Sequence, residues 1–167
     1  MKISNSEILT YSRSNKKATG EPYLKIKLDK ETKAILPMQP IQEVLVVEAE
    51  DITPIPYMPN CMLGLLNKRS RVFWVVDLAQ LLELEAISRD SQQYNIAILR
   101  VDESVLALAV PEIQGVSRID SELLQSPVGY VSAGLVPYLS SCLLTINEVL
   151  LTLEPQAILS SPILQQA

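Results

Sequence analysis

The sequence predicts a mainly all-β chain, a barrel or sandwich built as two similar halves with a few short helices. Three observations predict it. Strand-like stretches are short and separated by turn residues about every eight to twelve positions, the spacing of barrels and sandwiches. Hydrophobic residues make up 48% of the 167 residues but aromatics only 5%, with one Trp and one Phe, so branched aliphatics must fill the interior. Two runs, 64–82 and 134–150, read alike, which suggests two related half-domains meeting at 85–95.

Taken in order, residues 1–20 are polar, with Ser12, Ser14, Asn15, Lys16 and Lys17 closing on Gly20, and read as a flexible arm. The body of the fold is expected over 21–154. In Tyr23-Leu24-Lys25-Ile26-Lys27-Leu28 the period is two, so Leu24, Ile26 and Leu28 face one way and the lysines the other. Asp29-Lys30-Glu31 turns this strand into a second, Lys33 to Leu36. Glu43 to Glu48 is an apolar strand bracketed by carboxylates, and Pro54, Pro56 and Pro59 then enforce an extended loop.

The first of the similar runs reads strand at Gly64, turn at Lys68-Arg69-Ser70-Arg71, strand at Val72-Phe73-Trp74-Val75-Val76, then a short helix capped by Asp77. The second is expected to repeat this from Gly134, with a strand, a turn, Cys142-Leu143-Leu144, and a helix over 145–150 capped by Thr145. Asn95 to Val101, Val105 to Val110 and Ile113 to Ser117 are three further strands between them, with Asp102-Glu103 a hairpin turn. Residues 155–167 read as a frayed tail, unless Ile158, Leu159, Ile163 and Leu164 dock.

The composition excludes most chemistry. The chain contains no histidine, which removes Ser-His-Asp and Cys-His catalysis and every His-containing zinc site. Cys61 and Cys142 neither complete a four-Cys site nor form a CxxC pair, and are expected as free thiols in a cytoplasmic protein. The five glycines never cluster into a phosphate loop. No apolar run is long enough for a membrane span, and the start lacks the apolar segment of a signal peptide. Net charge is −5, split into +4 on 1–33 and −9 on 34–167, so the body repels nucleic acid.

Carboxylates supply the remaining catalytic candidates. Glu48, Glu50 and Asp51 fall at a strand end among prolines and read as solvated charge. Asp77 is flanked by apolar residues and reads as a helix cap rather than a buried acid. The basic turn Lys68-Arg69-Ser70-Arg71 stands out because residues 34–67 contain no Lys or Arg. Isolated cations on an acidic body point to an acidic partner.

Residues 20 to about 152 resemble the CheW family, adaptors of bacterial chemosensory arrays, and the homologous regulatory domain of the kinase CheA. Tyr23-Leu24-Lys25-Ile26 is similar to the opening strand, and Ile41-Gln42-Glu43-Val44-Leu45 to the Val-x-Glu-Ile strand. Ile55-Pro56-Tyr57-Met58-Pro59, Gly64-Leu65-Leu66-Asn67-Lys68-Arg69-Ser70 and Val75-Val76-Asp77-Leu78 resemble the proline loop, Gly-x-x-Asn-Leu-Arg-Gly and Pro-Val-Ile-Asp-Leu. Val110-Pro111-Glu112-Ile113 stands where the family has Val-Asp-x-Val, and Leu144-Thr145-Ile146-Asn147 where it has a second helix start. Ser70 replaces the family's turn glycine, Trp74 its proline, and Ala107 and Pro111 its glycine–aspartate pair.

The resemblance implies two five-stranded, SH3-like β-barrels with pseudo-two-fold symmetry, sharing a hydrophobic junction. It implies no catalysis, no cofactor and no metal. The implied partners are the cytoplasmic domain of a methyl-accepting chemoreceptor and a CheA-like histidine kinase, in chemotaxis, phototaxis or pilus-based motility. Arg69, Glu43, Lys68 and Arg71 are the expected receptor-binding residues. Asn67, Trp74, Pro56 and Val110 are expected at a kinase-binding or junction surface, although Trp74 alone reads better as core. The protein is expected to be cytoplasmic and recruited to membrane-bound receptor arrays without inserting. The alternative is a small-molecule-binding β-barrel with a cavity near Trp74.

Overall fold

A computed structural model describes residues 20–165, which form twelve strands and three short helices. The expected arm over 1–20 lies outside the described residues except for Gly20. Strands β1 (Glu21–Lys27) and β2 (Lys33–Pro37) form the first hairpin, followed by β3 (Ile41–Glu48), β4 (Ile52–Thr53), β5 (Met62–Lys68) and β6 (Arg71–Asp77). Helix α1 (Leu78–Leu81) closes this half. The second half repeats the order: β7 (Gln93–Val101), β8 (Ser104–Val110), β9 (Glu112–Ile119), β10 (Leu124–Gln125), β11 (Leu139–Leu144) and β12 (Val149–Leu153), then α2 (Pro155–Leu159) and α3 (Pro162–Gln165).

The strands form two six-stranded sheets of matching order, β10-β11-β12-β2-β1-β9 and β4-β5-β6-β8-β7-β3. In each, one strand is only two residues long, leaving five full strands. β3 and β4 lie at opposite edges of their sheet yet are joined by a single 3-10 turn, Ala49–Asp51. The sheet must therefore curl until its edges approach. The other sheet is closed in the same way by the turn Ser121–Leu123 between β9 and β10. The result is two small barrels with the expected internal two-fold relation.

Sheet membership does not change at 85–95. β7 and β8, beyond that stretch, join the sheet of β3–β6, while β1 and β2 join the sheet of β9–β12. Each run of six strands thus lends its first hairpin to the other sheet, where it docks through a parallel pair: β2 beside β12 and β8 beside β6. Local alternation defines a hairpin but not its partner across the chain, so the exchange has no local signature.

The exchange produces three apolar clusters. Leu24, Ile26, Leu28 and Leu36 of one sheet meet Leu99, Leu108 and Val110 of the other, with Leu78, Leu81 and Ile158 from the helices, in the junction between the barrels. Val47, Leu63, Phe73, Val75, Ile96 and Ile98 fill one barrel. Tyr23, Ile35, Ile119 and Leu150 fill the other. β8 is buried on both faces from Leu106 to Val110, which explains its unbroken apolar run.

The second of the similar runs departs from its expected form. Gly134 lies in a turn that leads into a 3-10 segment, Val136–Tyr138, rather than a strand. Thr145 caps no helix. Its backbone N–H and its hydroxyl both donate to the Glu148 carbonyl, at 2.9 and 3.1 Å, and this closes a hairpin turn. Residues 149–153 are strand, because they pair with β11 on one side and β2 on the other. The cap matching Asp77 is Glu154, whose carboxylate accepts from Gln156 N–H at the start of α2. The 155–165 segment is docked rather than frayed, with Ile158 fully buried and Tyr138 O–H and Ser161 O–H hydrogen bonded at 2.8 Å.

Candidate functional site

The β5–β6 hairpin carries the basic turn. Lys68 pairs with Arg71, leaving Arg69 and Ser70 as a two-residue loop with φ of 52° and 63°. Positive φ at both loop positions is the turn whose twist matches a right-twisted hairpin, and it favours Asn-Gly. Arg-Ser adopts it here against that preference. At the base of β5, Gly64 has φ +144° and a Cβ there would lie 2.2 Å from the Thr53 carbonyl oxygen, so glycine is required where β4 meets β5.

The curl of the sheet brings β3 beside this turn. Glu43 accepts a hydrogen bond from Lys68 Nζ, and its same oxygen lies 3.7 Å from Arg69 Nη2. The Lys68 hydrogen bond holds the Glu43 carboxyl below its ordinary value; partial desolvation opposes this, and the charges of Lys68 and Arg69 add to it. Lys68 is thereby neutralised and its side chain is 24% exposed, whereas the Arg69 side chain is 77% exposed. Arg71 is exposed and pairs with no carboxylate among the described residues.

The equivalent tip in the other barrel, between β11 and β12, has the opposite sign. There Glu148 is the tip residue, gripped by Lys25 at 3.0 Å and Lys33 at 2.8 Å. Those two lysines, Lys33 first, hold its carboxyl below the ordinary value. The two halves share a backbone plan and are told apart by charge.

Of the remaining candidates, Asn67 is exposed on β5 and Pro56 is exposed in the loop after β4, next to a fully exposed Tyr57. Val110 lies at the junction between the barrels, buried in its core at 2% exposure. Trp74 reverses the expectation of a core residue. Phe73 and Val75 turn into the barrel, so Trp74, one position out of phase, points outward and is 37% exposed. It lines an open groove of about 410 Å³ with Met58, Met62, Leu106, Leu159 and Leu164. The apolar C-terminal residues were visible in the sequence, but their place beside Trp74 depends on the exchange of hairpins.

The carboxylate candidates carry no chemistry. Asp77 is fully buried and both its oxygens are occupied by backbone donors, Gln80 N–H at 3.2 Å and Ile87 N–H at 2.9 Å. Glu50 and Asp51 form the 3-10 turn that joins β3 to β4, and Asp102 sits in the tip between β7 and β8 with φ 54°. Cys61 and Cys142 are free and buried, and burial pushes both thiols up from their ordinary value. No cluster of three His, Cys, Asp or Glu side chains that suits a metal occurs among the described residues. The barrel interiors are filled by their own side chains, and the space beside Trp74 is a groove rather than an enclosed cavity. Neither feature favours the small-molecule alternative.

Comparison with known proteins agrees with this architecture. The family model described as the CheW-like domain matches residues 22–162. A chemotaxis protein CheW of Treponema pallidum is 27% identical over 124 residues, spanning 72% of this chain and 73% of that protein. A chemotaxis protein CheW of Thermotoga maritima is 35% identical over 81 residues, 48% of this chain and 52% of that protein. Among solved structures, the scaffolding protein TtCheW from Thermoanaerobacter tengcongensis superposes with a TM-score of 0.69 at 20% identity, covering 81% of this chain and 90% of that one.

Proposed function

Because this chain belongs to the CheW-like family, a family of non-catalytic chemosensory adaptors, we propose that it couples the cytoplasmic domain of a chemoreceptor to a CheA-like histidine kinase. The observation that carries this reading is the division of labour in the basic turn. Glu43 neutralises Lys68 and so holds the hairpin tip in place, while the Arg69 and Arg71 side chains remain exposed on an acidic protein. Placed, exposed cations recognise acidic side chains and set register more than they set raw affinity. The kinase contacts the outer barrel surfaces, where Asn67 and Pro56 are exposed. No helix among the described residues is long and apolar enough to cross a membrane, and recruitment to an array then rests on the receptor contact.

The test is co-sedimentation with receptor-containing membranes and pull-down with the kinase regulatory domain. Arg69→Glu is expected to lower receptor co-sedimentation about tenfold, the effect of a roughly 1.4 kcal/mol loss, while kinase pull-down and the melting temperature stay unchanged. Wild-type binding by the folded variant removes Arg69 from the interface.

A further inference from the structure

Tyr57, in the loop between β4 and β5, is fully exposed and holds φ 62°. That backbone region suits glycine, so a bulky aromatic residue there is strained, and no burial within the molecule offsets the strain. The next residue, Met58, lines the Trp74 groove. An aromatic knob therefore stands directly beside an apolar hollow, and both are open to solvent. Tyr and Trp are the side chains that most often anchor protein interfaces.

Two charged tips flank the same hollow. β6 and β8 run side by side and parallel, with Val75 level with Ala107. The turns that precede them, Arg69–Ser70 and Asp102–Glu103, thus lie at one end of the sheet, the first basic and the second acidic. Arg71, Asp102 and Glu103 are all exposed, and Ser104 continues from the acidic tip into the groove wall.

These features have an order across the sheet. On the β5 side lie Tyr57 and the basic tip, in the middle is Trp74 on β6, and on the β8 side lie Leu106, the acidic tip and α2 with Leu159. A two-fold axis running along β6 and β8 exchanges the two sides. It sets Tyr57 of one copy against Leu106 and Leu159 of another, and Arg71 against Asp102 and Glu103. The two Trp74 side chains then meet near the axis. An isologous interface requires one patch that complements itself, and this face carries both knob and hollow and both signs of charge.

We propose that two copies of this chain associate through the Trp74 face, with Tyr57 of each seated in the groove of the other. The inference goes beyond the adaptor reading and is tested on the chain's own assembly, without receptor or kinase.

Sedimentation velocity of the full chain between about 1 and 100 μM is expected to show a monomer passing to a dimer. Emission of Trp74, the only tryptophan, is expected to shift to the blue over the same range. Tyr57→Gly removes the knob and relieves its φ. It is expected to weaken association about tenfold or more, while the melting temperature in dilute solution holds or rises. Arg71→Glu sets like charges against each other and is expected to weaken association about tenfold. Adding Asp102→Arg and Glu103→Arg to Arg71→Glu reverses both sides of the contact and is expected to restore wild-type association. A wild type that stays monomeric across the range overturns the proposal and leaves the groove to a different partner. A dimer that Tyr57→Gly and Arg71→Glu leave unchanged also overturns it, because the copies then meet through another face.

Discussion

Asp77, the last residue of β6, and Glu154, the residue after β12, act in the same way: each accepts a backbone N–H from the short helix that comes next. Their environments differ. Asp77 is fully buried and also holds Ile87 N–H, whereas Glu154 is partly exposed and reaches one donor at 3.3 Å. Asp77→Ala leaves two donors without a partner and is expected to destabilise by about 2–3 kcal/mol, against about 0.5–1 kcal/mol for Glu154→Ala. Urea unfolding of the two variants side by side checks the ordering.

The turn at Arg69 and Ser70 makes a prediction of the opposite sign. Ser70 holds φ 63°, a conformation that glycine adopts freely. Ser70→Gly is therefore expected to stabilise the hairpin by about 0.5–1 kcal/mol. Gly64→Ala, which puts a methyl group into the Thr53 carbonyl, is expected to cost about 3 kcal/mol or more or to prevent folding. A melting temperature that falls in Ser70→Gly contradicts the assignment of the turn.

Lys68 and Arg69 are neighbours with separable roles. Lys68→Ala unpairs Glu43 and loosens the turn, so it is expected to lower the melting temperature slightly and receptor binding with it. Arg69→Ala is expected to leave stability within about 0.5 kcal/mol while weakening binding and reducing its salt dependence. Equal effects of the two substitutions on stability contradict this division.

Glu43 and Glu148 link stability to pH. Both carboxyls are held below their ordinary values in the folded protein, by Lys68 and by Lys33 with Lys25. Their contributions are thus fully present above the unfolded carboxylate value, about 4.3, and are lost as pH falls through the folded values. Glu43→Gln and Glu148→Gln are each expected to flatten the acid side of the stability curve. The gap to wild type narrows toward low pH and stays constant from about pH 6 upward. A gap that widens on acidification contradicts the sign.

Val110 and Trp74 test which face is core. Val110→Ala empties part of the junction and is expected to cost about 1–3 kcal/mol, whereas Trp74→Ser, on the open groove, is expected to cost less than Val110→Ala. Denaturant midpoints decide between them.

Much of the fold was legible locally. Alternation located β1, the Asp29-Lys30-Glu31 turn located β2, an apolar run bracketed by carboxylates located β3, prolines located the loop after β4, and the isolated cations located a basic hairpin tip. What was misread came from treating local similarity as equivalence. Thr145 looked like the counterpart of Asp77, but the strand after it finds β2 as a partner, and the cap moves to Glu154. Trp74 looked like core because it is large and apolar, yet its phase within β6 turns it outward.

By itself the sequence determined the strand content, the absence of histidine chemistry, the charge of the Lys68–Arg71 turn and the resemblance to an adaptor family. These depend on residue type and near spacing, which a chain carries before it folds. Only the tertiary structure decided that β1–β2 and β7–β8 exchange sheets, that Glu43 meets Lys68 across 25 residues, and that Trp74 meets Leu159 and Leu164. Those contacts depend on which sheet edge a hairpin completes. Apolar burial and backbone pairing summed over both barrels choose that edge, and no short segment records it.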